Sequence, residues 1–292
     1  MEILSIAAAV GLFALQSAAL RKVSAPTLRD NLLATGASAG MIALAFGVIW
    51  LCQGGPLAPV TAALGAAVGV DFLATLMAYH LAMRAGPLSY TGFFFSASMV
   101  IPAAVGVALW GEPLTLPVGV GMALMLAAFF CISALSGPGG GRVNKRWLGL
   151  CALTFLLNGS LSVLITAHQR ALGGGSLASS ARLLCVAFLT AFVIAGAVFL
   201  LGGGAARRRE DLGRVRRGLL PLALVALGTG GGNLLVSYLS GRVPSSYLFP
   251  IVQGGTLLAI TLYARLALGE KLSAAGRAGI VLGVAAIVAL SL

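Results

Sequence analysis

The sequence predicts an all-α integral membrane protein of ten transmembrane helices, built as two inverted five-helix repeats. Three observations lead there. Apolar residues make up 59% of the 292 residues and charged ones only 9%, with a mean hydropathy of +1.03. A soluble domain carries roughly 25% charged residues to keep its surface wet. The apolar residues fall into ten runs, each of the length that crosses a bilayer, and a pair of short motifs recurs about half a chain later.

The runs are cut at charged or Gly/Pro-rich stretches. Run 1 (3–20) lacks a basic segment before it and is followed at once by more apolar sequence, so it reads as a retained helix rather than a signal peptide. Run 2 (31–52) stops at Gly54-Gly55-Pro56, run 3 (60–83) at Arg84, and run 4 (87–110) at Gly111-Glu112-Pro113. Run 5 (115–135) stops before Gly137 to Gly141, run 6 (147–168) before Gly173 to Gly175, and run 7 (178–201) before Gly202 to Gly204. These glycine stretches read as flexible connectors. Runs 8 (218–240), 9 (244–267) and 10 (274–292) complete the set and leave no room for a sizeable soluble domain. Backbone polar groups cannot stay unpaired in hydrocarbon, so each run is a helix or part of a closed barrel. Continuous apolarity without period-two alternation excludes the barrel.

Of the 19 Lys and Arg, sixteen lie at the connections 1–2, 3–4, 5–6, 7–8 and 9–10, six of them arginines between 207 and 217. Only Arg170, Arg182 and Arg242 lie on the other side. The positive-inside rule makes the crowded side cytoplasmic and turns both termini outward. The net charge of +12 is thereby read as a topology signal and an attraction to anionic membrane lipid. Nucleic acid is not an expected partner, since the basic residues sit in short loops without an aromatic stacking platform.

Run 4 opens with Ala85-Gly86-Pro87-Leu88-Ser89-Tyr90 and closes at Gly111-Glu112-Pro113-Leu114. Run 9 opens with Val243-Pro244-Ser245-Ser246-Tyr247 and closes at Gly269-Glu270-Lys271-Leu272. The Gly-Glu pairs, Arg84 with Arg242, and Gly121 with Gly279 all keep an offset of 158 residues, and the Pro and Tyr pairs one of 157. Residues 1–143 and 144–292 are therefore read as two repeats, and an odd number of spans in each turns the second upside down. Inverted repeats are the architecture of alternating-access carriers.

With its ten runs, its length and its paired Gly-Glu motifs, the chain resembles the drug/metabolite transporter superfamily, specifically proteins with two EamA domains. The resemblance covers nearly the whole chain. It implies a secondary transporter exporting amino acids, metabolites or drug-like solutes across the bacterial inner membrane, with a central cavity lined by runs 1, 3, 4, 6, 8 and 9. Many members of that superfamily look cytoplasmic at both termini, whereas the charges here indicate the reverse, and the charges are followed.

Asp71 is the one acidic residue near the middle of a run. It reads either as a proton-coupling group or counter-ion for a cationic substrate, or as a carboxylate held by Ser, Thr or Arg in a helix-packing network. Arg182 either snorkels outward or turns inward to balance Asp71 or grip a substrate carboxylate. His80, beside Tyr79, is a candidate proton relay; His168 reads as a hydrogen-bonded anchor. Gln16, Asn158, Asn233, Tyr238, Tyr90, Tyr247 and Gln253 either bond a substrate or join helices. Pro250 followed by Gly254 and Gly255 predicts an interruption in run 9, with free backbone groups for a ligand, and Pro102 predicts a kink in run 4. Glu112 and Glu270 read as turn residues. Gly36/Gly40, Gly65/Gly69 and Gly279/Gly283 read as close helix contacts, within one chain or between two in a homodimer.

No metal-ligand spacing joins the two histidines, and Cys52, Cys131, Cys151 and Cys185 form no CxxC pair. No cofactor, ATP-binding loop or nucleophile motif is present, so the chain is not read as an enzyme. Transport would draw on a proton or another coupling ion. Two other readings stay open: an intramembrane enzyme or lipid-modifying protein, and a non-transporting membrane scaffold.

Overall fold

The computed structural model describes residues 2–86, 88–134, 144–202, 204–267 and 273–290. These residues are helical throughout, joined by short connections, and among them eight helical spans, residues 90–110 counted as one, are long and apolar enough to cross a membrane. The chain is thus a multi-pass membrane protein by the length and composition of its helices. Glu270, Lys271, Arg142 and the Gly137–Gly141 connector lie outside the described residues.

Runs 1 to 3 are α1 (Glu2–Leu20), α2 (Leu28–Gln53) and α3 (Pro59–Ala85). Thr27 starts α2 by a capping box: its hydroxyl accepts the Asp30 N–H at 3.1 Å, and the Asp30 carboxylate accepts the Thr27 N–H at 3.2 Å. Run 4 is not one helix but two, α4 (Leu88–Ala97) and α5 (Val100–Trp110). Pro102 has no N–H to donate to Ser98 O, and Ile101 N–H takes that carbonyl instead at 3.0 Å. Gly111 ends α5 in the left-handed region at φ 64°, where a side chain would be strained.

Run 5 is helical along its described length and changes its winding near the end. It becomes α6 (Leu116–Phe129), followed by a π-helical turn at Phe130–Ala134. Runs 6 and 7 are α7 (Lys145–Ala171) and α8 (Leu177–Leu201), the latter opened by a second capping box between Ser176 and Ser179. The arginine-rich connection that follows is itself helical, α9 (Ala205–Arg217). Runs 8, 9 and 10 are α10 (Leu219–Ser240), α11 (Ser245–Ala267) and α12 (Ala274–Leu290). The interruption expected in run 9 is absent: α11 runs unbroken through Pro250 and both glycines. Pro250 removes one hydrogen bond near the start of that helix, and the remaining ladder carries it across.

The chain forms two compact units, and each takes helices from both sequence halves. One comprises residues 1–10, 78–163 and 243–292; the other comprises 11–77 and 164–242. In the first unit α5 packs on α11 and α6 on α12. A Cβ at Gly121 would run into Leu290 and the Ala286 carbonyl, and one at Gly279 into Ile132 and the Ala128 carbonyl, so α6 and α12 are antiparallel and closely apposed. Leu258 of α11 fills the space beside Gly283.

In the second unit α2 packs most extensively on α8. Gly36 abuts Ala195, Gly40 the Phe192 ring and Gly47 the Cys185 sulfur, an antiparallel order. Gly65 and Gly69 bring α3 against Val186 and the Ala187 carbonyl of the same α8. The small-residue pairs are therefore seams inside one chain. A side chain at any of them would meet a neighbouring helix, which is why glycine's low helix propensity is tolerated there.

Candidate functional site

In the first unit, the broken helix organises the polar candidates. The Phe95 carbonyl lies one turn before the break and is no longer engaged by Met99, whose N–H points to Ser96 O at 3.4 Å. It accepts instead from the Ser98 hydroxyl at 2.7 Å and from Asn158 Nδ2 at 3.1 Å. The same Asn158 nitrogen donates to Ser98 Oγ at 2.6 Å. Asn158 is thus a staple between α7 and the α4–α5 kink.

The Tyr79 ring packs on Phe95 with centroids 4.8 Å apart. Tyr90 lies against the buried group of Ala82, Trp147 and Cys151, together with Phe94. The Trp147 indole N–H donates to Thr91 Oγ1 at 3.0 Å. Tyr79, Tyr90 and Asn158 therefore gather around an aromatic wall on α4, with His80 on the adjoining turn of α3. The buried His80 Nε2 has no hydrogen-bond partner among the described residues. Neither the α4 phenylalanines nor Trp147 stood out in the sequence, where aromatic residues in an apolar run carry no separate signal.

Tyr247 and Gln253 lie half-buried on α11. The first turn of that helix is held by Glu112, which is buried and accepts the Ser246 N–H at 3.2 Å. A carboxylate at a helix N-terminus satisfies orphan donors and complements the dipole. Glu112 is accordingly structural, although it acts as a cap across to α11 rather than within its own turn.

In the second unit, Asp71 is buried in the α3 stripe that also carries Val68 and Thr75. Arg182 turns to the α2–α3 connection, donating to Gly54 O at 3.1 Å and to Pro56 O at 3.4 Å. Gln16 lies where α1 meets α10: a Cβ on Gly228 would collide with the Leu12 carbonyl and the Gln16 backbone. Gly230 faces Ile42 and Phe46, and Gly232 faces Phe13, so the glycine run of α10 is wedged between α1 and α2. The run Gly230-Gly231-Gly232 was the available signal for this, because consecutive glycines in a helix are costly unless close approach demands them. Asn233 bonds its own helix at Thr229 O, 2.8 Å away, and Tyr238 carries the Arg242 guanidinium 4.5 Å above its ring.

His168, read from the sequence as a hydrogen-bonded anchor, shares a hydrogen bond of 2.9 Å with Thr61 through Nε2. A second polar grouping was not anticipated. Gln169, fully buried, donates to Ser180 and Ser237 at 3.0 and 2.8 Å and ties α7, α8 and α10 together. No trio of His, Cys, Asp or Glu suited to a metal occurs among the described residues.

No family model matches the chain, and no curated protein matches it. Solved structures do. One protein of known crystal structure is similar over 100% of this chain and 98% of its own length, with a TM-score of 0.73 at 17% identity. At that identity the similarity speaks for the fold alone.

Proposed function

We propose that the chain is a secondary transporter of the drug/metabolite transporter superfamily, a ten-helix protein of two inverted EamA-like repeats. In this reading it exports small metabolites, amino acids or drug-like solutes across the bacterial cytoplasmic membrane by alternating access. The observation that carries the reading is a reciprocity between the two halves. Gly121 meets Ala286 and Leu290, while Gly279 meets Ala128 and Ile132. Shifted by the 158-residue offset, 121 becomes 279, 128 becomes 286 and 132 becomes 290, so each contact is the image of the other. Reciprocal contacts of this kind are the signature of a twofold relation. Antiparallel α6 and α12, and antiparallel α2 and α8 with a capping box on each, are what two repeats of opposite orientation would produce. The match to a solved structure along the whole chain supports one continuous fold rather than two fused fragments.

Asp71 and His80 are the coupling candidates, and Tyr79, Tyr90, Tyr247 and Gln253 the solute-facing ones. Asn158 joins two helices and Arg182 holds the α2–α3 connection, while Asn233 bonds a carbonyl of its own helix.

The test is uptake by proteoliposomes of amino acids, nucleosides and quaternary amines, with and without a pH gradient, for the parent and Asp71→Asn. Gradient-driven uptake by the parent that loses its pH response in Asp71→Asn is expected. No uptake of any solute under either condition would remove the transport reading. Unchanged pH response in the variant would remove Asp71 from the coupling role.

A further inference from the structure

The arginine-rich helix α9 is held down on the second unit by two ion pairs. Asp211, 5% exposed, pairs with Arg29 at 2.8 Å. Asp30, the capping residue of α2, pairs with Arg214. Hydrogen bonds to Glu210 and Asp30 push the Arg214 guanidinium up, so it remains a cation. Both carboxylates at the base of α9 are thereby matched by arginines.

Beneath α9 lies a cavity of 390 Å³ lined by Lys22, Ser24, Asp30, Asp211, Arg214 and Arg217, among others. Three basic residues line this cavity, Lys22, Arg214 and Arg217, against two acidic ones, Asp30 and Asp211, which leaves it net positive. Among the described residues Arg217 spends only its Nε–H, on Gly213 O at 3.2 Å. A second hollow, 280 Å³, adjoins it and shares Leu33, Asp211 and Val215 with it. Apart from Asp211 its lining is apolar, including Gly36, Phe192, Phe199 and Leu212. Along α8 the groove extends from Phe199 to Phe192, about 10 Å at 1.5 Å per residue. Exposed Leu200, Leu201, Leu212 and Leu220 surround this end of the unit, the pattern of a helix at the lipid–water boundary with arginines in the headgroup layer and leucines below it.

We propose that α9 covers a binding site for one anionic phospholipid, whose phosphate sits in the basic cavity at Lys22 and Arg217 and whose acyl chain runs along the groove between α2 and α8. A small soluble anion would use the basic cavity alone. The contiguous apolar groove, opening on helix faces that carry exposed leucines, is what assigns the occupant to lipid. The proposal does not depend on the transport reading.

The experiment is native mass spectrometry of the full chain in detergent, incubated with equal amounts of dioleoyl phosphatidylglycerol and dioleoyl phosphatidylcholine. One retained phosphatidylglycerol is expected, favoured about tenfold over phosphatidylcholine, the scale of the loss of one or two charge contacts of ~1 kcal/mol each. Lys22→Gln with Arg217→Gln should abolish the preference. Gly196→Phe should lower retention by blocking the groove; a Cβ at Gly196 meets nothing within 4 Å, so this variant is expected to fold even if the charge variant does not. Inorganic phosphate should leave the retained lipid in place. Equal retention of the two lipids by the parent, retention by Gly196→Phe equal to the parent's, or displacement by inorganic phosphate would each overturn the proposal.

Discussion

Asn158 illustrates how a polar side chain in a membrane helix divides between joining helices and meeting a solute. Its amide completes the bonding of the Phe95 carbonyl that the α4–α5 break exposes and also bonds Ser98 Oγ, so removing it costs two hydrogen bonds and leaves that carbonyl with the Ser98 hydroxyl alone. Asn158→Ala should lose about 1–3 kcal/mol of stability, read as a lower midpoint of thermal unfolding in detergent. An unchanged midpoint with a lost solute response would assign Asn158 to a ligand instead. Arg182 divides the same way: in the sequence it was a possible partner for Asp71, but its two terminal nitrogens bond the carbonyls of Gly54 and Pro56. The residue types at these positions were plain from the sequence. Their partners were not, because Phe95 is 63 residues from Asn158 and Gly54 is 128 from Arg182.

At the scale of elements, the α2–α8 seam depends on glycine. Gly36→Leu would force a side chain into Ala195 and should destabilise by about 1–3 kcal/mol. Gly11→Ala meets nothing within 4 Å and should be neutral or stabilising by up to about 1 kcal/mol. Thermal midpoints of the two variants measured side by side check this, and equal midpoints would mean that the seam is looser than described. For α9, Asp211→Asn removes the buried partner of Arg29 and should free the helix. Limited trypsin digestion at Arg207, Arg208 and Arg209 should then be several-fold faster than in the parent, with unfolding of the remainder little changed. The sequence marked these arginines as a connection between runs 7 and 8 but not as a helix. The Glu210–Arg214 spacing of four was the local hint, and it outweighs neither the glycines before it nor the density of like charge. Proline shows the same limit. Pro102 and Pro250 look alike in sequence, yet only the helix before Pro102 parts, at residues 98–99, where Ile101 N–H takes the Ser98 carbonyl and Ser98 and Asn158 satisfy that of Phe95.

For the molecule as a whole, the distribution of Lys and Arg makes a topological prediction. Cys52 is exposed at the end of α2, on the charge-poor side. With Cys131, Cys151 and Cys185 replaced, a membrane-impermeant maleimide should label Cys52 in intact cells, whereas a cysteine placed at Ser24 should react only after lysis. The reverse pattern would invert the orientation read from the charges. The positions of the apolar runs, the sidedness implied by their flanks and the recurrence at 158 residues were all legible in the sequence, because hydrocarbon imposes them locally: a span must be continuously apolar and must bond its own backbone. The pairing of Gly121 with Leu290, the commitments of Asn158 and Arg182, and the cavity under α9 came from the folded arrangement. Lipid and protein interior are equally apolar, so exposed Leu44, Val48 and Leu51 on α2 read no differently from buried Ile42 and Phe46. Without an amphipathic stripe, the one-dimensional pattern does not say which way a membrane helix turns its polar residues.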